Sequence, residues 1–232
     1  SPAITCPVRF REDWTITSDA ASFFFGDTIS WSSLTEVRLT DGYGKSAGNI
    51  DVVLVAYDAQ ERIIDFGALE VQAVYISGNV REPFEHFMAD PKKRQDMDWT
   101  SQPNYPRPDY LSSSRKRLAP QLMFKGGIMN EWGKKSAVAL SKAFFDTLPD
   151  LQWVPKAEAS VAWFIYDLVL NEQAQKYELT KVDEVFTRFD EALLRITTTK
   201  AGPLKKFIDQ LQNKLDEQLE SAPTNKSIES PF

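Results

Sequence analysis

The chain has 232 residues, 42% of them hydrophobic, which suits one large domain, or one domain with an appendage, around a sizeable core. A single Cys excludes an internal disulfide and fits a reducing cytoplasm; a single His excludes a multi-His metal site, so any intrinsic metal site must use carboxylates and favour hard cations such as Mg²⁺, Mn²⁺ or Ca²⁺. The net charge of −6 argues against a uniformly basic nucleic-acid binder.

Charge is unevenly spread. Residues 1–80 carry 5 basic and 11 acidic groups, residues 81–145 carry 12 and 7, and residues 146–232 carry 10 and 15. A basic middle between acidic flanks is what an anion-binding surface beside a carboxylate metal centre would look like. No stretch nears the roughly 18 apolar residues of a membrane helix. The start lacks a secretory pattern and an initiator Met, which reads as processing, truncation or a tag remnant.

In chain order, residues 1–30 are aromatic and mixed and read as a separate N-terminal segment. Trp31 to Thr40 reads as a short helix, with Leu34 and Val37 on its apolar side. Asp41-Gly42-Tyr43-Gly44 and Gly48-Asn49 are turn signals. Ile50 to Tyr57 and Ile63 to Ile76 read as strands. Residues 90–120, rich in Pro, Ser and basic groups, read as a long loop or arm, a feature that usually carries function. Residues 133–148, 156–179 and 182–198 read as helices. After Gly202-Pro203, Leu204 to Leu219 forms a last amphipathic helix, expected to pack on its own domain rather than to form a dimer seam. The organisation expected is a segment 1–30, a domain over 31–220 with recognition loops around 85–135, and a disordered polar tail over 221–232.

The two strands suggest where chemistry sits. If Asp58 opposes Ile63 across a hairpin, Asp51 faces Glu70, and Gln72 shares Glu70's side of its strand. Two carboxylates that close, in apolar surroundings, repel unless a cation lies between them. Asp, a hairpin and then Glu-x-Lys is the pattern of the PD-(D/E)xK nuclease fold: a mixed central sheet flanked by helices, α/β or α+β, here with long DNA-binding loops. Gln72 stands at the Lys position.

The motifs go further. Glu36-Val37-Arg38-Leu39, Gly48-Asn49-Ile50-Asp51, Glu70-Val71-Gln72-Ala73, Arg115-Lys116-Arg117-Leu118-Ala119-Pro120-Gln121-Leu122, Phe124-Lys125-Gly126-Gly127 and Trp132-Gly133-Lys134-Lys135 together resemble the NotI-type restriction endonucleases, over about residues 30 to 170. Glu-x-Gln in place of Glu-x-Lys is characteristic of that group. The resemblance implies a type II enzyme of a bacterial-type cytoplasm that cuts both strands of a specific DNA site as a homodimer, with Mg²⁺ or, in substitution, Mn²⁺. It implies that Asp51 and Glu70 bind metal, with the Val71 carbonyl as a further ligand. Gln72 would orient the attacking water, and Glu36, on the preceding helix, would hold a second metal or a metal-bound water. Family members carry a four-Cys iron site; with Cys6 alone, neither iron nor zinc is expected here, and segment 1–30 reads as a remnant of that Cys-rich region.

For DNA, Arg115 and Arg117 are candidates for base reading, because forked donors suit guanine. Lys92, Lys93, Arg94, Lys116, Lys134 and Lys135 are candidates for the DNA surface, with Lys92, Lys93 and Lys135 assigned to phosphate. Lys125, beside Gly126-Gly127, is placed where backbone approaches a phosphate. His86 reads as structural, Asp96 and Asp98 as loop solvation, and Trp163, Phe164 and Tyr166 as core. The competing readings are a catalytically silent DNA-binding module, a structure-specific repair nuclease on the same fold, and a protein-interaction domain.

Overall fold

In the computed structural model the described residues are 2–26, 29–79, 81–102 and 104–221. The expected tail over 221–232 lies outside them beyond Ser221. Two compact units divide at Thr197 and Thr198. The first is built on a six-stranded mixed sheet; the second is described through the 18-residue helix Leu204–Ser221, where the predicted amphipathic helix stands.

The strands are β1 (Trp31–Thr40), β2 (Ser46–Tyr57), β3 (Ile63–Gln72), β6 (Ser136–Ser141), β7 (Val161–Asn171) and β8 (Lys176–Thr187), adjacent in that order. Between β3 and β6, β4 (Tyr75–Ser77) and β5 (Arg107–Asp109) form a separate two-stranded ribbon. The β1–β2–β3 meander is antiparallel, β6 runs parallel to both β3 and β7, and β8 returns antiparallel. This is the mixed, helix-flanked sheet of the restriction-endonuclease-like fold.

Several elements differ from expectation. Trp31–Thr40 is a strand, not a helix: its Ser, Thr and Val residues suit extended backbone, and pairing along the whole Val-rich β2 outweighs a fortuitous spacing of apolar residues. Gly48-Asn49 lies inside β2, where Gly48 takes φ +105° without turning the chain. β3 ends at Gln72, short of Ile76. Residues 133–148 contain the buried strand β6, residues 156–179 contain β7 and the start of β8, and helix occupies only Phe189–Thr197 of 182–198. Continuous apolar runs cannot separate a buried strand from a helix by periodicity, and β6 and β7 are central, whereas β8 is a largely exposed edge strand. Within the predicted arm, residues 110–131 form a helical run that alternates α-helical with wider π-helical turns.

Strand alternation sorts side chains between two faces. Val52, Leu54, Leu69, Val71, Ala137, Ala139, Phe164 and Tyr166 pack with helix α1 (Thr15–Phe25) and with Ile4 and Phe10 before it. Segment 2–26 therefore supplies one wall of the core. A Cβ on Gly67 would come within 2.4 Å of the Phe24 ring, so the absence of a side chain there seats α1 on β3. The opposite face meets the helical run 110–131 and helix Phe189–Thr197 through Val138, Leu140, Trp163 and Ile165, and through Val53, Val55 and Ala68 against Met129. Trp163, Phe164 and Tyr166 are core, as expected. No helix among the described residues is long and apolar enough to cross a membrane.

Candidate active site

The β2–β3 register pairs Val52 with Leu69 and Ala56 with Asp65, and a one-residue irregularity follows at Tyr57, next to the turn. Asp58 therefore does not oppose Ile63, which pairs with Tyr57, yet the body of the hairpin keeps the register that brings Asp51 level with Glu70. On the other side, Thr35 pairs with Val52 and Val37 with Ile50, so Glu36 falls level with Asp51 on β1. Three acids thus occupy one row across three strands. Their side chains do not close on one point: among the described residues no three His, Cys, Asp or Glu groups form a metal-sized cluster. Glu36 is exposed, and its Oε2 accepts a long 3.5 Å hydrogen bond from the Asn49 amide. Its backbone sits at φ +55°, a left-handed conformation that costs a non-glycine residue roughly 1 kcal/mol or more.

Asp51 Oδ2 accepts a 2.8 Å hydrogen bond from the Val71 amide, which fixes the carboxylate against β3. Glu70 is 7% exposed. Its Oε2 accepts from Lys125 Nζ at 2.6 Å, and its Oε1 is buried with no partner. Burial, then the charge of Asp51, pushes the Glu70 carboxyl up to about 8; the ammonium of Lys125 pulls the other way and does not prevail. Gln72 is fully buried. Its Nε2 donates to Gln121 Oε1, and its own Oε1 has no partner. A void of about 10 Å³ lies beside Glu70, Gln72, Gln121 and Lys125, at the lower limit of room for one water.

Glu70 and Gln72 face the helical run because β3 alternates, with Leu69 and Val71 taking the α1 side. The run meets them with Leu118, Gln121, Leu122, Lys125 and Met129, spaced three or four apart on one helical side. That spacing was present in the sequence: a Gln and a Lys on an otherwise apolar stripe. It placed Gln121 and Lys125 in the site, which the reading of Lys125 as a surface phosphate contact passed over. Lys125 is 5% exposed, and Gly126 serves packing: a Cβ there would meet the Phe189 ring at 2.7 Å.

The remaining basic candidates separate by partner. Lys92 and Lys93 are exposed, Lys93 loosely paired with Asp90 at 3.4 Å, while Arg94 donates to the His86 carbonyl. Arg115 and Lys116 are exposed on the π-helical turn Ser114–Leu118, and Arg117 lies over the Tyr75 ring at 5.3 Å. Lys134 pairs with Asp65 at 2.7 Å, and Lys135 donates to the Phe23 carbonyl at 2.9 Å with its ammonium over that ring. Asp98 caps the turn Trp99–Ser101 through the Thr100 amide.

The mixed, helix-flanked sheet is consistent with the restriction-endonuclease-like fold, and its neighbouring strands carry a carboxylate pair with basic segments on the elements that follow. A family model described as "Restriction endonuclease NotI" matches residues 1–179, and the chain belongs to that family. No curated protein sequence gives a significant match. Family membership makes the chain a site-specific deoxyribonuclease and DNA its ligand.

Proposed function

We propose that the chain is a type II restriction enzyme that hydrolyses both strands of a specific duplex site with Mg²⁺, acting as a homodimer. The observation that carries this reading is the Asp51–Glu70 pair: two adjoining carboxyls, one of them buried with an unpartnered oxygen and pushed up to about 8. Burial and the charge of Asp51 raise that carboxyl even with the Lys125 ammonium beside it, and a hard divalent cation is the kind that such oxygen donors take.

Asp51 and Glu70 would hold the cation, with the Val71 carbonyl adjacent and Glu36 contributing from β1. Bound there, Mg²⁺ would polarise the scissile phosphate and lower the pKa of an attacking water. The Val71 amide holds Asp51 in place. Gln72 cannot add charge, and its Nε2 is committed to Gln121, so Oε1 is the atom free to accept a hydrogen bond from the attacking water and orient it. Exposed Lys92, Lys93 and Lys116 suit phosphates, and Arg115 and Arg117 suit base edges. A twofold-symmetric duplex site calls for two copies of the chain.

The test is digestion of mixed-sequence duplex DNA with Mg²⁺ or with EDTA, followed by sequencing of the ends. Fixed ends that require Mg²⁺ support the reading. Cuts that follow junctions or flaps rather than sequence would make it a structure-specific nuclease, and binding without cutting would make it a silent DNA-binding module.

A further inference from the structure

Position 72 is Gln, so β3 brings no cation to the carboxylates it carries. The cation comes from 55 positions beyond Glu70: Lys125 Nζ reaches Glu70 Oε2 at 2.6 Å and the Asn49 carbonyl at 2.7 Å. We infer that Lys125 is the basic member of this centre, delivered by the helical run 110–131 instead of by β3, and that it acts as a positioning residue by fixing the Glu70 carboxyl. This rests on the nuclease reading above.

The placement is built rather than incidental. The side chains of Lys125 and Glu70 are 7% and 10% exposed, so the ammonium is withdrawn from the surface where a phosphate contact would need it. Its two acceptors lie on neighbouring strands, β2 and β3, so one ammonium ties together the strands that carry Asp51 and Glu70. The lysine stem passes beside Gly48. The turn that presents it, Leu122–Gly126, is π-helical, a geometry often found at functional sites. Gly126 lets that turn press against Phe189. A buried ion pair contributes little net stability compared with apolar residues of similar size. Stability alone therefore gives little reason to bury a lysine against an acid in this pocket.

The experiment uses the full chain and five variants: Lys125→Met, Gln72→Lys, Glu70→Gln and the double variants Lys125→Met/Gln72→Lys and Lys125→Met/Glu70→Gln. Cleavage of a duplex carrying the cut site is followed with Mg²⁺, and DNA binding is followed by anisotropy with Ca²⁺. Lys125→Met is expected to cut about 100-fold more slowly while binding DNA within about threefold of the parent. Adding Gln72→Lys is expected to restore at least about tenfold of that loss, because it returns an ammonium to the carboxylates from the strand side. Thermal melting without metal supplies an independent reading: adding Glu70→Gln to Lys125→Met should recover about half or more of the melting temperature that Lys125→Met alone loses, as expected for residues in contact.

Parent-like cutting by Lys125→Met overturns the inference, and so does a loss of DNA binding that matches the loss of cutting, which makes Lys125 a phosphate contact. No rescue by Gln72→Lys, with coupled melting, makes the pair structural only. Additive melting shifts remove the pairing itself. A parent chain that cuts no duplex under any divalent metal sinks the nuclease reading instead, and the positioning role with it.

Discussion

The two faces of β3 differ by one residue of register and by the whole of their chemistry. Leu69 and Val71 point into an aromatic core with Phe10, Phe23 and Phe24, while the carboxylate that α1 offers to the sheet, Asp19, is taken by Tyr166 and Lys181 on β7 and β8. Glu70 and Gln72, alternating with them, are as deeply buried but meet Gln121 and Lys125. The same strand thus serves stability on one side and a polar centre on the other. What decides between them is the helix that covers each face. The polar face holds two buried oxygens without partners, Glu70 Oε1 and Gln72 Oε1, a cost of about 1–3 kcal/mol for each group that the apolar face does not bear. Such a cost is reasonable where ligand or water completes the set.

The comparison breaks if the two faces cannot be separated by substitution. Asp51→Ala should lower cleavage by at least about a thousandfold while the melting temperature changes little, because relief of the carboxyl repulsion offsets the lost hydrogen bond from the Val71 amide. Cleavage within tenfold of the parent would detach the centre from function. On the other face, Phe23→Ala should cost about 3–5 kcal/mol of stability through lost burial and a cavity, read by urea denaturation, while the folded fraction cuts at the parental rate. A large fall in the rate per folded molecule would show that the faces are not independent.

The pH dependence of stability sharpens the same contrast. Glu70 titrates near 8 in the fold against an ordinary value of 4.5, so its protonated form is favoured by folding. The contribution is fully present below 4.5 and is lost as pH rises through about 8. Metal-free protein should therefore lose stability between pH 5.5 and 8.5, by at most about 1.4 kcal/mol per pH unit, and Glu70→Gln should flatten that slope. Mg²⁺ added at pH 8.5 should restore stability to the parent and not to Glu70→Gln. Equal slopes in parent and variant would show that another group carries the dependence.

The sequence carried this face unequally. The row Asp51–Glu70 was reached through a turn pairing that the fold does not have: Tyr57, not Asp58, pairs with Ile63, and the one-residue irregularity beside it restores the register that sets Asp51 level with Glu70. The strands β6 and β7 were not legible as strands, since central parallel strands are apolar on both faces and lose the period-two signal; β8, an antiparallel and largely exposed edge strand, was divided between two expected helices. β1 failed for the opposite reason: an exposed edge strand has few apolar residues to mark either period. Lys125 was read by its glycine neighbours when the informative neighbours lay three and four positions away. Its role depends on which face of β3 the run 110–131 covers, and that is a property of topology, not of local sequence.

The smallest expected effect concerns the surface rather than the centre. Lys92 and Lys93 are exposed and Lys93 has only a loose partner, whereas Lys134 and Lys135 spend their ammonium groups on Asp65 and on the Phe23 carbonyl. If phosphate contact requires a free ammonium, the double change Lys92→Ala/Lys93→Ala should reduce the slope of log affinity against log salt by about one to two, weakening all duplex sequences alike. Lys135→Ala should leave the slope unchanged and lower the melting temperature instead, because its partners are the carbonyl and ring that end α1. A salt slope that responds to Lys135 and ignores Lys92 and Lys93 would place the DNA on the α1 side of the sheet, and the division of labour between the two faces of β3 would then be wrong.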